Sequence, residues 1–216
     1  MKNRLLILEM QDGMMCNNDK STVKMMIDKA IENKPDNMDM VFKWQLYTKI
    51  KTIVEVIPLD REIFDYAYNY ARFQGFKTTA SVFDKESFEF LVYYRIPFIK
   101  IACQTDLYDF RKDIHSIMNY DKQREYIYSL EKDWINYIDI NHEGKICCIP
   151  KYPSAVKEYE DTFTEEHLKK GISDHTIGLE LYNKYKPEIY EKHYYVDGLE
   201  SWDKEWAIKP EELNLL

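Results

Sequence analysis

The chain has 216 residues, 45% of them apolar and 15% aromatic, which suits one ordinary domain with a sizeable core. A net charge of -8 with no basic patch excludes broad nucleic-acid binding, yet leaves room for a small anionic substrate in a locally basic site. No apolar run approaches the roughly 20 residues of a membrane span, and four cysteines without a Cys-x-x-Cys pair point to reduced thiols and a cytoplasmic protein.

Short apolar runs alternate with segments of 3.6-residue periodicity along the whole chain. Met1 to Arg4 carries a signal-like charge, but the apolar run behind it is short and meets Glu9, so Arg4–Met10 reads as a buried strand. Ser21 then caps a helix with Val23, Met26, Ile27, Ala30 and Ile31 on one face. A strand over Met40–Gln45 leads to a helix opened by Asp60 and stopped by Gly75, with Ile63, Phe64, Ala67, Tyr68 and Ala71 on its apolar side. Next come a strand at Phe76–Phe83, a helix at Lys85–Tyr94, a strand at Phe98–Ala102 and a helix at Leu107–Met118. The second half predicts strands at Glu125–Leu130, Lys145–Ile149, Gly171–His175 and Glu188–Tyr194. Helices at Trp134–Ile140, Glu165–Lys170 and Gly178–Tyr185 fall between them, and the acidic stretch at 158–161 reads as a solvated loop. Pro210 opens an eighth helix at a position that proline tolerates.

Eight such units predict a compact α/β fold, a (β/α)8 TIM barrel forming one domain over residues 1–216, with an open doubly wound sheet as the runner-up. A typical barrel takes about 250 residues, so this one is trimmed, with short helices. Function in a barrel collects at the C-terminal strand ends. The polar residues there are Glu9, Lys43, Gln45, Ser81, Lys100, Cys103, Ser129, Tyr152, Ser173, His175, Glu191 and His193. Facing one mouth, they would form an anion pocket beside a metal.

Lys43 and Lys100 interrupt apolar strands, which is costly unless each ammonium meets an anion. Either they clamp a phosphate or carboxylate, or they sit at strand ends and reach solvent. His175 and His193 lie one βα unit apart, and adjacent strands are roughly 4.8 Å apart, so both imidazoles can reach one ion. With two protein ligands, the other positions go to water and substrate, as in a catalytic divalent site; ordinary hydrogen bonding is the alternative. Glu191 shares the face of His193 and is placed to hold a metal-bound water. Glu9 suits sugar hydroxyls, proton transfer or a structural ion pair. His115, His142 and His167 read as solvated, and Cys147 and Cys148 point to opposite sheet faces.

These segments resemble, in order, those of the sialic acid synthase family, which makes N-acetylneuraminate, legionaminate and pseudaminate and includes spore-coat relatives. Glu9 falls where the family has its first-strand Glu-Ile-Gly. Val41-Phe42-Lys43-Trp44-Gln45 resembles Val-Lys-Phe-Gln, Ala80 to Asp84 resembles Ser-Thr-Pro-Phe-Asp, and Ile96 to Cys103 resembles Val-Pro-Ala-Tyr-Lys-Ile-Ala-Ser. Cys148 to Pro153 is similar to Cys-Thr-Ser-x-Tyr-Pro. The closest matches are Ser173-Asp174-His175-Thr176-Ile177-Gly178 and Glu191-Lys192-His193-Tyr194, and Asp203 and Pro210 continue the register into the tail. The resemblance implies metal-dependent condensation of phosphoenolpyruvate with an N-acyl amino sugar, such as N-acetylmannosamine, giving a nonulosonic acid and phosphate. It also implies that His175 and His193 hold manganese or magnesium, which activates the sugar aldehyde. Lys43, Lys100, Ser81, Ser129 and Ser173 would hold phosphoenolpyruvate, and Glu9, Tyr152 and Asp203 would contact the sugar.

The sequence also departs from the family. Cys103 replaces a serine and weakens a hydrogen bond to phosphate, and Pro150 stands where the family has Asn or Ser. Gln11 to Asn18 replaces a Gly-rich first loop, and Tyr128-Ser129-Leu130-Glu131 replaces Ser-Thr-Gly-Met. The family's C-terminal antifreeze-like domain, which supplies an arginine across a dimer, has no counterpart before Leu216. A homodimer or a separate lid-supplying chain is the expected partner besides the small-molecule substrates. Two other readings stay open: a repurposed, non-catalytic barrel that binds a sugar acid or a partner, and a synthase for a different 3-deoxy sugar acid.

Overall fold

A computed structural model describes residues 4–48, 56–103, 124–135 and 143–216. Eight parallel strands close into a barrel in sequence order. They are β1 (Arg4–Gln11), β2 (Met38–Leu46), β3 (Lys77–Val82), β4 (Ile99–Ile101), β5 (Tyr126–Leu130), β6 (Glu143–Cys148), β7 (Gly171–Asp174) and β8 (Ile189–His193). Closure is made by β8 against β1, with Glu9 opposite His193. The predicted barrel is therefore observed, and the open sheet is excluded.

Alternation along the strands divides the apolar residues into two sets. Leu6, Leu8, Met40, Phe42 and Trp44 face outward and join the helical side chains in the main core. Ile7, Val41, Phe98, Ile127 and Ile146 face inward and fill the lower barrel. Gly171 belongs to that inner set, and a Cβ there would lie 2.4 Å from Ile146 Cγ2. Above this apolar floor the inward positions turn polar: Glu9, Lys43, Ser81, Lys100, Ser129, Ser173 and Glu191 are all buried. The strand ends thus carry a layer of charge on an apolar base.

The helices are α1 (Gly13–Cys16), α2 (Lys20–Glu32), α3 (Arg61–Phe73), α4 (Lys85–Leu91), α5 (Lys132–Ile135), α6 (Val156–Thr162), α7 (Glu165–Lys170) and α8 (Glu180–Tyr185). Several differ from expectation. The cap of α2 is Asp19, whose carboxylate accepts from Thr22 N, whereas Ser21 lies inside the helix. The acidic stretch at 158–161 is helical, because Glu158 Oε2 accepts from Ala155 N and Tyr159 is fully buried. Pro210–Leu215 is a 3-10 helix. Helix α4 ends at Leu91, three residues short of Tyr94. The helix expected at Leu107–Met118, most of that at Trp134–Ile140, and His115 and His142 lie outside the described residues. Among the described residues no helix is long and apolar enough to cross a membrane.

Candidate active site

The C-terminal strand ends open into a cavity of about 810 Å³. Every candidate residue from the sequence lines it: Glu9, Lys43, Gln45, Ser81, Lys100, Cys103, Ser129, Tyr152, Ser173, His175, Glu191, His193 and Asp203.

Register explains the convergence. Glu9 pairs with Lys43 across β1 and β2, Ser81 with Lys100 across β3 and β4, and Ser173 with Glu191 across β7 and β8. Beyond Glu9 the β1 register shifts, and Gln11 adopts a left-handed φ of 69°. The Gln11 amide then donates to Glu9 Oε1 at 2.8 Å, while Glu9 Oε2 accepts from Lys43 Nζ. Of the three roles open to Glu9, the structural ion pair is the one seen. Lys43 also donates to Ser81 Oγ at 2.9 Å, and Lys100 donates to Ser129 Oγ at 2.6 Å. The alternative that these lysines reach solvent is overturned, since they are 2% and 1% exposed.

Glu191 joins the two lysines. Its Oε1 lies 3.4 Å from Lys43 Nζ and accepts from Ser173 Oγ at 3.0 Å. Its Oε2 lies 3.3 Å from Lys100 Nζ, outside hydrogen-bond geometry, and meets no hydrogen-bond donor among the described residues. Burial works to raise the Glu191 pKa, but Lys100 and Lys43 overcome it and hold the carboxyl down at about 2. Burial likewise works against the Lys43 ammonium, and Glu191 and Glu9 reverse it, leaving that pKa raised. Lys100 goes the other way: burial, reinforced by Lys43, lowers it despite Glu191.

The histidine rings stand 5.3 Å apart between centroids. His175 Nδ1 pairs with Ile149 O at 2.8 Å, and His193 Nδ1 pairs with Asp203 Oδ2 at 2.6 Å. Burial, reinforced by His193, drives the His175 pKa down to about 3, so its imidazole is neutral at pH 7. Burial opposes charge on His193 too, but Asp203 prevails and raises it. With Nδ1 engaged, Nε2 is the remaining ligating atom of each ring, an arrangement that orients imidazoles for a cation. Among the described residues no group of three or more His, Cys, Asp and Glu converges on one point. Two neighbouring imidazoles with engaged Nδ1 atoms suit a divalent ion that would take its other ligands from water and substrate.

Some contributors escaped sequence reasoning. Gln11 ties the first strand to the tail: its Nε2 donates to Tyr194 O at 3.1 Å, and its Oε1 accepts from Ser201 Oγ at 2.8 Å. Cys148 faces the cavity and Cys147 the outer core, as the alternation requires. Behind β7 and β8, the buried Lys192 lies 3.2 Å from Asp174 Oδ2, which also accepts from Tyr190 at 2.6 Å. The rule that singled out Lys43 and Lys100 also picks out Lys192, a lysine within a buried strand. His167 is half-buried on α7, away from the cavity.

No family model matches the sequence, and no curated protein matches it. Solved structures do. The N-acetylneuraminic acid (sialic acid) synthetase of Leptospira borgpetersenii serovar Hardjo-bovis, solved with citrate, is similar with a TM-score of 0.75 and 20% identity, over 99% of this chain and 81% of that one. A putative spore coat polysaccharide biosynthesis protein E from Chromobacterium violaceum gives 0.74 and 18%, over 98% and 72%. The Bacillus subtilis spore coat polysaccharide biosynthesis protein spsE gives 0.70 and 18%, over 99% and 66%. The shared feature is the barrel fold. At these identities the likeness carries architecture, and chemistry must be argued from the cavity.

Proposed function

We propose that this barrel condenses phosphoenolpyruvate with the aldehyde of an N-acyl amino sugar, giving a nonulosonic acid and phosphate with a divalent cation bound. The observation that carries this reading is the gathering of Lys43, Lys100, Glu191, His175 and His193 in one cavity at the strand ends. The similarity in fold to a sialic acid synthetase and to spore-coat polysaccharide proteins agrees with it.

In the condensation, C3 of phosphoenolpyruvate bonds to the aldehyde carbon, a water is consumed and phosphate leaves. Lys43 and Lys100 would bind the phosphate and carboxylate. Both ammoniums are already buried and paired, Lys43 with Glu9 and Lys100 with Glu191, so a substrate anion would join an existing charge network, and a bound cation would offset the negative charge it adds. Ser81 and Ser129 fix the direction of each ammonium. Asp203 and Tyr152 line the same cavity and would contact the sugar. His175 and His193 would hold manganese or magnesium, and Glu191 would act on it through water. When bound, such an ion supplies Lewis-acid polarisation of the aldehyde.

The test is phosphate release from phosphoenolpyruvate across a panel of aldoses, with and without manganese. Release is expected only when sugar, phosphoenolpyruvate and metal are all present. Absence of release with every aldose overturns the reading.

A further inference from the structure

The cavity carries two tryptophans that the proposed chemistry leaves without a role. Trp206 is 9% exposed, and its ring centroid lies 5.7 Å from that of Tyr152. Tyr152 in turn lies 4.3 Å from His175. Trp206, Tyr152, His175 and His193 thus form a continuous row of rings. Trp202, on the same segment, is 56% exposed at the cavity rim.

That exposed indole stands on an anchored loop. Asp203 N donates to Ser201 Oγ at 3.0 Å, and Ser201 Oγ donates to Gln11 Oε1. The amides of Trp206 and Ala207 both donate to Asp203 O, while the Asp203 carboxylate meets His193. Gln45 and Asp203 line the same cavity and offer acceptors for hydroxyls. An aromatic rim set over polar acceptors is complementary to a sugar, whose hydroxyls radiate from apolar C–H faces.

We propose that Trp202 and Trp206 determine sugar choice, Trp202 by stacking on an apolar C–H face of the sugar and Trp206 by holding Tyr152 against His175. Trp202 is thus a specificity residue and Trp206 a positioning residue. This assignment rests on the sugar-binding half of the proposed function and names the residues that discriminate.

Intrinsic tryptophan fluorescence and titration calorimetry test it together, with N-acetylmannosamine and phosphoenolpyruvate titrated separately into protein with manganese. N-acetylmannosamine should change the wild-type emission, and Trp202→Ala should lose most of that change. The same variant should weaken sugar affinity about tenfold, the value of one aromatic stacking contact, and leave phosphoenolpyruvate affinity unchanged. Trp202→Phe should recover most of the affinity. Trp206→Ala should weaken sugar binding selectively, and Trp206→Phe, which keeps a ring against Tyr152, should restore it. Unchanged sugar affinity in Trp202→Ala overturns the proposal, as does an equal loss for both ligands or a silent wild-type titration. Because binding is read directly, a failed phosphate-release assay sinks the reaction and leaves this test standing.

Discussion

Lys100 Nζ lies 3.3 Å from Glu191 Oε2 at the centre of the barrel mouth, and both side chains are sealed from solvent. Lys43 approaches the other carboxylate oxygen at 3.4 Å, so one anion serves two ammoniums from different strands. Glu191→Gln would take away the carboxylate facing Lys100, whereas Lys43 would keep Glu9. It should cost about 3–5 kcal/mol, the usual penalty for removing one partner of a buried pair. Denaturant unfolding of wild type and variant measures this, and a loss below about 1 kcal/mol would contradict the network's importance.

Among the described residues the cavity walls hold five carboxylates, Glu9, Asp12, Glu131, Glu191 and Asp203, against two lysines. A phosphate-bearing anion entering alone meets excess negative charge. Its binding should therefore be linked to a cation: calorimetry with phosphoenolpyruvate should show affinity at least about tenfold stronger with manganese than with a chelator. Equal affinity in both conditions would defeat the charge argument.

The four thiols should differ in reactivity. Burial pushes Cys16 up to about 11 and Cys147 up to about 12, and both are sealed in the core. Cys103 is partly exposed and lines the cavity. Iodoacetamide at neutral pH should label Cys103 well before Cys16 or Cys147. Phosphoenolpyruvate with manganese should slow that labelling. Peptide mass mapping over time reads both effects, and early labelling of Cys147 would show that the outer core is open.

Asp12 is held above the ordinary carboxylate range by burial, a push that its hydrogen bonds from Tyr47 and Met14 N only partly offset. The folded state then favours the protonated acid. Its stabilising contribution is complete below the unfolded pKa of about 3.9 and disappears as pH rises through the higher folded value. Asp12→Asn should therefore melt higher relative to wild type as pH rises from acid to neutral. Thermal unfolding of both proteins across that range checks the sign, and a gap that narrows with pH would refute it.

Lys43 and Lys100 were legible in the sequence because an ammonium within an apolar strand is conspicuous locally. Their partners were not. Glu9 meets Lys43 only through the β1–β2 register, and Glu191 reaches Lys43 and Lys100 only because the barrel is closed. Helix α6 was missed because the composition of Glu158 to Asp161 looks solvated. Its order comes from Tyr159, whose hydroxyl donates to Ser173 O at 2.6 Å on β7. In the tail, Asp203 stands out by its register with the family motif and lines the cavity, whereas the two tryptophans beside it answer to no local rule.

By itself the sequence determined the eight-unit alternation, the two-faced character of the strands and the polar character of the strand ends. These follow from side-chain periodicity and the cost of burying charge, which act over a few residues. Only the tertiary structure decided which charges neutralise one another, that His175 is neutral while His193 faces Asp203, and that Trp206 backs Tyr152. Those relations depend on distances between residues far apart in the chain, set when β8 closes on β1 and the tail folds over the mouth.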